Sequence, residues 1–276
     1  MMKEQFNEVK KHYDLEPRRE WDRLQNRYPY EKYITTHIMD RYIHESDRIL
    51  DIGGGPGHYS VYGAKKGCEM TLLDLSDGNV RFAKQKARQY GVRFTAIQGN
   101  ALDLSRFEDN SFDHVFLMGP LYHLLEEESR IKAISEAIRV LKPGGMLFCS
   151  FILIYGGVNY NLRECPKQIL DESQQPMYDL TARDEAVSCE TFTYTWMTTV
   201  GEIKKLMAHF DTLEKVTLFA QEGILSPYTH TLEKCTAKER KAWYDYACRF
   251  CEKEDYLTHG EHLMYVGRKN EGCCES

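Results

Sequence analysis

The chain has 276 residues, with 36 Lys and Arg against 42 Asp and Glu, a formal net charge of −6. That balance argues against a broad phosphate-binding surface, because nonspecific nucleic-acid affinity comes mostly from clustered Lys and Arg. The longest nearly unbroken apolar run, Met146 to Tyr155, is half of what a bilayer-spanning helix needs and reads as a buried strand. The N-terminal residues Met1-Met2-Lys3-Glu4 carry no apolar stretch of the kind found in secretory signals, so the sequence reads as cytoplasmic, and its nine Cys as free thiols. Cys248-x-x-Cys251 is half of a structural zinc motif. The other half would have to come from Cys273 and Cys274 in a polar tail, so helix thiols are the preferred reading and no metal is expected.

In chain order, residues 1–45 form a charged and aromatic segment, read as an N-terminal helical cap or lid. Ile34, Ile38, Met39 and Tyr42 fall at helical spacing there. Residues 46–276 form the main domain. Arg48 to Ile52 is a short apolar strand ending in glycines. A helix follows over 58–66, a strand over 69–75, a helix over 77–90, and strands over 92–98 and 112–118. A long amphipathic helix over 124–141 is stopped by Lys142-Pro143-Gly144-Gly145. Strand five, 146–154, is apolar throughout, as when helices cover both faces. Residues 155–198 show no clear periodicity and read as an insertion, a lid or binding loop. A helix over 199–210, a strand over 213–220, a helix over 236–257 and a last strand over 261–268 complete the count. The predicted fold is α/β: a doubly wound, mostly parallel seven-stranded sheet with the insertion after strand five. The seventh strand can enter antiparallel.

The informative segment is Ile49-Leu50-Asp51-Ile52-Gly53-Gly54-Gly55-Pro56-Gly57-His58. Gly53 and Gly55 let a ligand approach the backbone, at the strand ends where such sheets bind ligands. A dinucleotide fingerprint, G-x-G-x-x-G, needs its third Gly where His58 stands. The pattern here is D-x-G-x-G-x-G. An acid just before the turn is ill suited to an anion and suits a cationic amino-acid ligand. Asp74, ending the second strand, can accept both ribose hydroxyls of either ligand class.

These residues, with Leu72-Leu73-Asp74-Leu75-Ser76, Gln98-Gly99-Asn100-Ala101, Ser111-Phe112-Asp113-His114-Val115 and Arg139-Val140-Leu141-Lys142-Pro143-Gly144-Gly145, resemble the class I S-adenosylmethionine-dependent methyltransferases, in particular the small-molecule branch. The resemblance spans about residues 45–155. It implies a Rossmann-like methyltransferase fold, S-adenosyl-L-methionine as cofactor and S-adenosyl-L-homocysteine as product. It implies that Asp51, Gly53 and Gly55 surround the methionine half, that Asp74 holds the ribose, and that Asn100 and Ala101 flank the adenine. Met118 and Gly119 would line the cleft beside the sulfonium. Asp103 can share the adenine role, since Asn100 carries no charge. Asp113 reads instead as a strand-edge residue.

Methyl transfer from a sulfonium needs alignment above all, and a base only if the acceptor keeps its proton. His123, the one side chain near strand four that titrates near neutrality, is the candidate base, with Tyr122 to orient the acceptor; packing at the helix start is the alternative for His123. His58, Arg18 and Arg19 can border the cofactor carboxylate or face solvent. The aromatics Tyr13, Trp21, Tyr28 and Tyr30 can fold over the cofactor or pack the cap. The insertion carries Tyr155, Tyr160, Tyr178, Phe192, Tyr194 and Trp196, and residues 151–200 have a net charge of −4, which suits an aromatic or amine-bearing small molecule. The expected activity is methylation of O, N or S on a small molecule. The rivals are an RNA or protein methyltransferase, a nicotinamide-dependent oxidoreductase, and a noncatalytic cofactor-binding relative. Oligomeric state is open.

Overall fold

The computed structural model describes residues 2–190 and 193–271; Phe192, Cys273 and Cys274 lie outside the described residues. The chain begins with helices α1 (Met2–Leu15) and α2 (Pro17–Asp22), a π-helical turn (Arg23–Arg27) and α3 (Pro29–Met39). Strand β1 (Arg48–Ile52) leads to α4 (His58–Lys65), β2 (Glu69–Asp74), α5 (Asp77–Gln89), β3 (Thr95–Gln98) and β4 (Phe112–Leu117). A 3₁₀ turn (Pro120–His123), α6 (Glu127–Val140) and β5 (Leu141–Ile152) follow. The segment beyond holds α7 (Ile154–Glu164), α8 (Gln175–Ala182) and a hairpin of β6 (Val187–Glu190) and β7 (Tyr194–Met197). The chain then forms α9 (Val200–Met207), β8 (Leu213–Ala220), α10 (Thr229–Glu233), α11 (Ala237–Ala247) and β9 (His262–Lys269).

Seven strands make one sheet in the order β3-β2-β1-β4-β5-β9-β8. The pairs from β3 through β5 are parallel, while β9 runs antiparallel between β5 and β8. The anticipated antiparallel seventh strand is therefore present. Helices cover both faces: Leu50, Val115, Leu117 and Leu147 pack into one apolar cluster, Ile49, Phe116 and Phe148 into the other. This two-sided burial explains why the inner strands read as continuous apolar runs. Chain order reverses at β1, whose neighbours are β2 and β4. Sheets of this kind hold ligands at that switch point, beyond the carboxyl ends of the strands.

Three local expectations are corrected. The long helix begins at Glu127, because Pro120–His123 closes into a 3₁₀ turn first. Strand β5 begins at Leu141, so Lys142-Pro143-Gly144-Gly145 is a bend inside an extended strand. The pairing with β4 shifts register there, and a Cβ on Gly145 would overlap the Asp113 carbonyl. The segment 155–198 is not a loop but two helices and a hairpin. The hairpin joins the sheet through one bridge, Leu153 to Thr198.

Candidate functional site

The turn after β1 is built for close approach. Gly53 (φ +71°) and Gly55 (φ +54°) adopt the left-handed conformation that side chains disfavour. A Cβ on Gly53 would collide with the Pro120 ring, whereas one on Gly55 would meet only Asn79 Nδ2, at 4.0 Å. The first position joins the β1 and β4 ends; the second faces open space. Gly53 N donates to the Leu73 carbonyl (2.7 Å) and Gly55 N to Asp74 Oδ2 (2.8 Å), pinning the turn to β2.

Asp51 is fully buried and lines the cleft. Its Oδ2 accepts from Ser60 Oγ (2.7 Å), while Oδ1 has no hydrogen-bond donor. Burial, aided by the nearby Asp74 charge and opposed by the Ser60 hydrogen bonds, pushes its carboxyl up to about 7. A buried carboxylate oxygen without a donor is costly; a proton on this carboxyl, favoured by its raised pKa, relieves the cost, as would a hydrogen-bond donor brought by a cationic ligand. Asp74 accepts from the Ser76 amide (2.8 Å) and Asn79 Nδ2 (3.3 Å) as well as Gly55. A carboxylate offers about four acceptor directions, so capacity remains for a hydroxyl. Burial raises its pKa too.

Further along the cleft lie Leu75, Gly99, Asn100 and Ala101, faced by Phe6 and Val9 of α1. Asn100 Oδ1 accepts from the Leu102 amide (2.9 Å), shaping its own loop. Asp103 is exposed, outside the cleft lining, and accepts from the Ser105 amide. The shared adenine role read for it is not supported by this placement. Asp113 accepts from Arg48 N (2.9 Å) and Lys142 Nζ (2.7 Å), a tether between strands. Met118 and Gly119 line the cleft from β4.

The N-terminal helices cover the opening. Asp14 accepts from Ser76 Oγ (2.7 Å) and Gly78 N (3.0 Å), fastening the end of α1 to the start of α5. Tyr13 enters the cleft and its hydroxyl meets His123 Nε2 at 2.8 Å. His123 Nδ1 faces the Tyr194 carbonyl at 2.9 Å, so Nδ1 donates and Nε2 accepts the Tyr13 proton. Burial holds this ring down to about 4, hence neutral. Tyr122 lines the cleft beside it, its hydroxyl shifted upward by burial. Trp21 stacks on His58 (3.8 Å between centroids, 12° between planes), and His58 Nε2 donates to the Trp21 carbonyl (2.8 Å). Burial pushes His58 down to about 3. Tyr28 and Tyr30 pack in the core. Arg18 is exposed and Arg19 pairs with Glu16 at the surface (2.8 Å), away from the cleft.

Sequence reasoning missed the opposite end of the cleft. Arg23, Glu20 and Glu31 from the cap meet Ser150 of β5, Gln221 beyond β8 and His262 of β9. Arg23 Nη1 pairs with Glu31 Oε2 (2.5 Å) and Nε with Glu20 Oε2 (3.2 Å). His262 Nδ1 pairs with Glu222 Oε1 (2.6 Å), and Glu222 Oε2 accepts from the amides of Glu261 and His262 (both 2.9 Å). Among the described residues, Glu31, Glu222 and His262 offer ligand atoms within 4.8 Å of one another. No periodicity or motif flags these residues; only the fold assembles them. Cys248 and Cys251 are buried, with thiols pushed up by burial to about 11 and 12, inert rather than nucleophilic.

The cleft, about 1120 Å³ of empty space when its open mouth is counted, runs from Asp74 and Asn100 at one end to Ser150 and His262 at the other. None of the described residues of 155–198 lines it. Tyr194 reaches it through its carbonyl on His123, and Trp196 packs under the Arg130 guanidinium (3.7 Å). Among the described residues no helix is long and apolar enough to cross a membrane.

Residues 49–145 match the family model of the methyltransferase domain. The chain is 33% identical over 128 residues to a ubiquinone biosynthesis O-methyltransferase of Xanthomonas euvesicatoria, covering 44% of this chain and 52% of that protein. It is 23% identical over 225 residues to a tRNA 5-carboxymethoxyuridine methyltransferase of Escherichia coli O157:H7, covering 80% of each. The chain spans between about a third and a half of the length of the curated relatives it matches at 30% identity or more. A crystal structure of an S-adenosylmethionine-dependent methyltransferase from Methanosarcina mazei shares the fold (TM-score 0.56, 22% identity, covering 84% of this chain and 97% of that one).

Proposed function

Since this chain belongs, through residues 49–145, to the class I S-adenosylmethionine-dependent methyltransferases, we propose that it moves the cofactor's methyl group to an O, N or S atom of a small molecule. The observation that carries the reading is Asp51: a fully buried carboxylate, one oxygen without a donor, at the wall of a cleft floored by glycine. It asks for a cation, and the α-amino group of S-adenosylmethionine supplies one. A dinucleotide pyrophosphate would bring negative charge to the same place. In this reading Asp74 takes the ribose hydroxyls, Ala101 and Leu75 enclose the adenine with Phe6, and Met118 and Gly119 flank the sulfonium.

The chemistry is an in-line displacement. The cofactor, when bound, supplies a methyl group on a positively charged sulfur. The protein's residues hold it at the switch point, exclude water with α1, and position the acceptor against Tyr122. His123, neutral and occupied on both ring nitrogens, supports this by fixing the Tyr13 hydroxyl.

Equilibrium binding of S-adenosylhomocysteine against NAD tests the cofactor. We expect micromolar affinity for the first and none for the second; the reverse would defeat the reading. Incubating cell extract with methyl-labelled cofactor, with and without the protein, then tests the acceptor. We expect label in metabolite-sized material. The similarity to a tRNA methyltransferase over 80% of both chains supports a second reading, and label in RNA would establish it instead.

A further inference from the structure

The acceptor end of the cleft brings three metal-ligating side chains together from segments remote in the chain. Glu31 comes from α3, Glu222 follows β8 and His262 opens β9. Strand pairing fixes the last two: the Gln221 amide donates to the His262 carbonyl (2.9 Å), and Glu222 Oε2 accepts from the amides of Glu261 and His262 (both 2.9 Å). Glu31 is fastened through Arg23, whose Nη1 donates to its Oε2 (2.5 Å). Those bonds spare one oxygen on each carboxylate. Glu222 Oε1 meets His262 Nδ1 at 2.6 Å, and Glu31 Oε1 is held only loosely, 3.4 Å from Arg23 Nη2. One ligand atom from each of the three residues falls within 4.8 Å of the others. Zinc–nitrogen and zinc–oxygen bonds are about 2.0–2.2 Å, so two ligands of one ion stand at most about 4.4 Å apart. The trio reaches that spacing by closing a few tenths of an ångström.

A second observation comes from α4. The Tyr59 side chain lines the same cleft and is only 8% exposed, and its hydroxyl finds no hydrogen-bond partner among the described residues. The charges of Glu31 and Glu222 both act on that hydroxyl. A buried hydroxyl left unpaired is costly, and a water or ligand atom carried by an ion between the two carboxylates would pair it. Arg23 is the one Arg or Lys among the described residues that line the cleft, so two buried carboxylates share little positive charge.

We propose that Glu31, Glu222 and His262 bind a divalent first-row transition ion of the zinc class at the acceptor end of the cleft. An imidazole beside two carboxylates suits such an ion better than magnesium or calcium, which favour all-oxygen sets. The ion displaces the proton shared by His262 Nδ1 and Glu222 Oε1, as metals do wherever their ligands must be deprotonated. The amides on Glu222 and the guanidinium on Glu31 then serve as the outer bonds that orient ligating carboxylates. Glu31 and His262 line the cleft, and three protein ligands leave a position open toward it. An oxygen or sulfur atom of the acceptor completes that position; this last step rests on the methyltransferase reading above, and the ion itself does not.

The test uses the full chain, stripped with EDTA, and Co²⁺ as a coloured stand-in for the ion. Visible absorption should saturate at one equivalent with a micromolar Kd, without a thiolate charge-transfer band, and Zn²⁺ should displace it. His262→Gln and Glu31→Gln should each weaken Co²⁺ binding at least about thirtyfold, since even outer-shell losses cost about 10–100-fold. Zn²⁺ should raise the melting point of the wild type by several degrees and that of neither variant. Both variants should bind S-adenosylhomocysteine within threefold of wild type, which certifies the fold. No Co²⁺ binding by the wild type at millimolar metal would overturn the proposal. So would binding that survives unchanged in either folded variant, or a thiolate band, which would assign the ion to cysteines such as Cys248 and Cys251. Failure of the wild type to bind S-adenosylhomocysteine would sink the methyltransferase reading instead and leave the result for the ion standing.

Discussion

The two ends of the cleft are constructed on opposite plans. The nucleoside end is local: Asp51, Gly53 and Gly55 lie within five residues, and Asp74 answers them from the adjacent strand through Gly55. The far end is assembled from remote segments, with Glu31, Tyr122, Glu222 and His262 brought together only by the closed sheet and the docked cap. Damage to the first should cost ligand. Damage to the second should cost the fold as well, because its ion pairs also join segments distant in the chain.

The largest expected effect tests that contrast at the remote end. Arg23→Leu strands the Glu31 carboxylate, only 5% exposed, without its guanidinium. We expect a loss of roughly 3 kcal/mol in urea unfolding, since breaking a buried pair leaves an uncompensated charge. A loss below 1 kcal/mol would remove the claim that this end braces the molecule. At the local end, Asp74→Ala should weaken S-adenosylhomocysteine binding at least tenfold, about 1.4 kcal/mol. Unchanged affinity in a folded variant would remove Asp74 from the site.

The third prediction concerns pH. The ligand-free Asp51 carboxyl sits at about 7, and a bound ammonium lowers it. Affinity should therefore be full above pH 7.5 and fall by up to tenfold per unit below 7. In Asp51→Asn that dependence should flatten and affinity drop. The same variant should melt a few degrees higher at pH 8. A carboxyl raised in the folded state contributes stability at acid pH that is lost as pH rises through 7, and Asn cannot ionise. A melting point at pH 8 that falls would contradict the unsatisfied Asp51 oxygen. The smallest effect is expected at Asp103→Ala, within twofold of wild-type affinity by calorimetry, because that carboxylate serves its own loop.

The same contrast governs what the sequence discloses. The alternation from β1 through β5 is legible because each strand and helix carries its own period, and the switch-point turn because five short motifs fall in order. The boundary at Leu141 was hidden, because a Pro-Gly-Gly run that ordinarily ends a helix here bends a strand around the Asp113 carbonyl. The helices of 155–198 were hidden too: α8 is only eight residues long and α7 carries two glycines near its start, so neither repeats its apolar face enough to be seen. His262 was invisible for another reason. In the sequence it is one more residue of a closing strand, and its meaning comes from Glu222, forty positions earlier in the chain.

His123 joins three stretches of chain: Tyr13 on one nitrogen, the Tyr194 carbonyl on the other, and its own 3₁₀ turn behind. The β6–β7 hairpin is thereby wired to the roof of a chamber that none of its described side chains borders. A lengthened or shortened hairpin would tilt the imidazole, and the imidazole would drag the tyrosine. The hydrogen-bond chain thus ties the placement of a tyrosine in the cleft to a hairpin outside it, while the groups of the Gly53–Gly55 turn stay as they are.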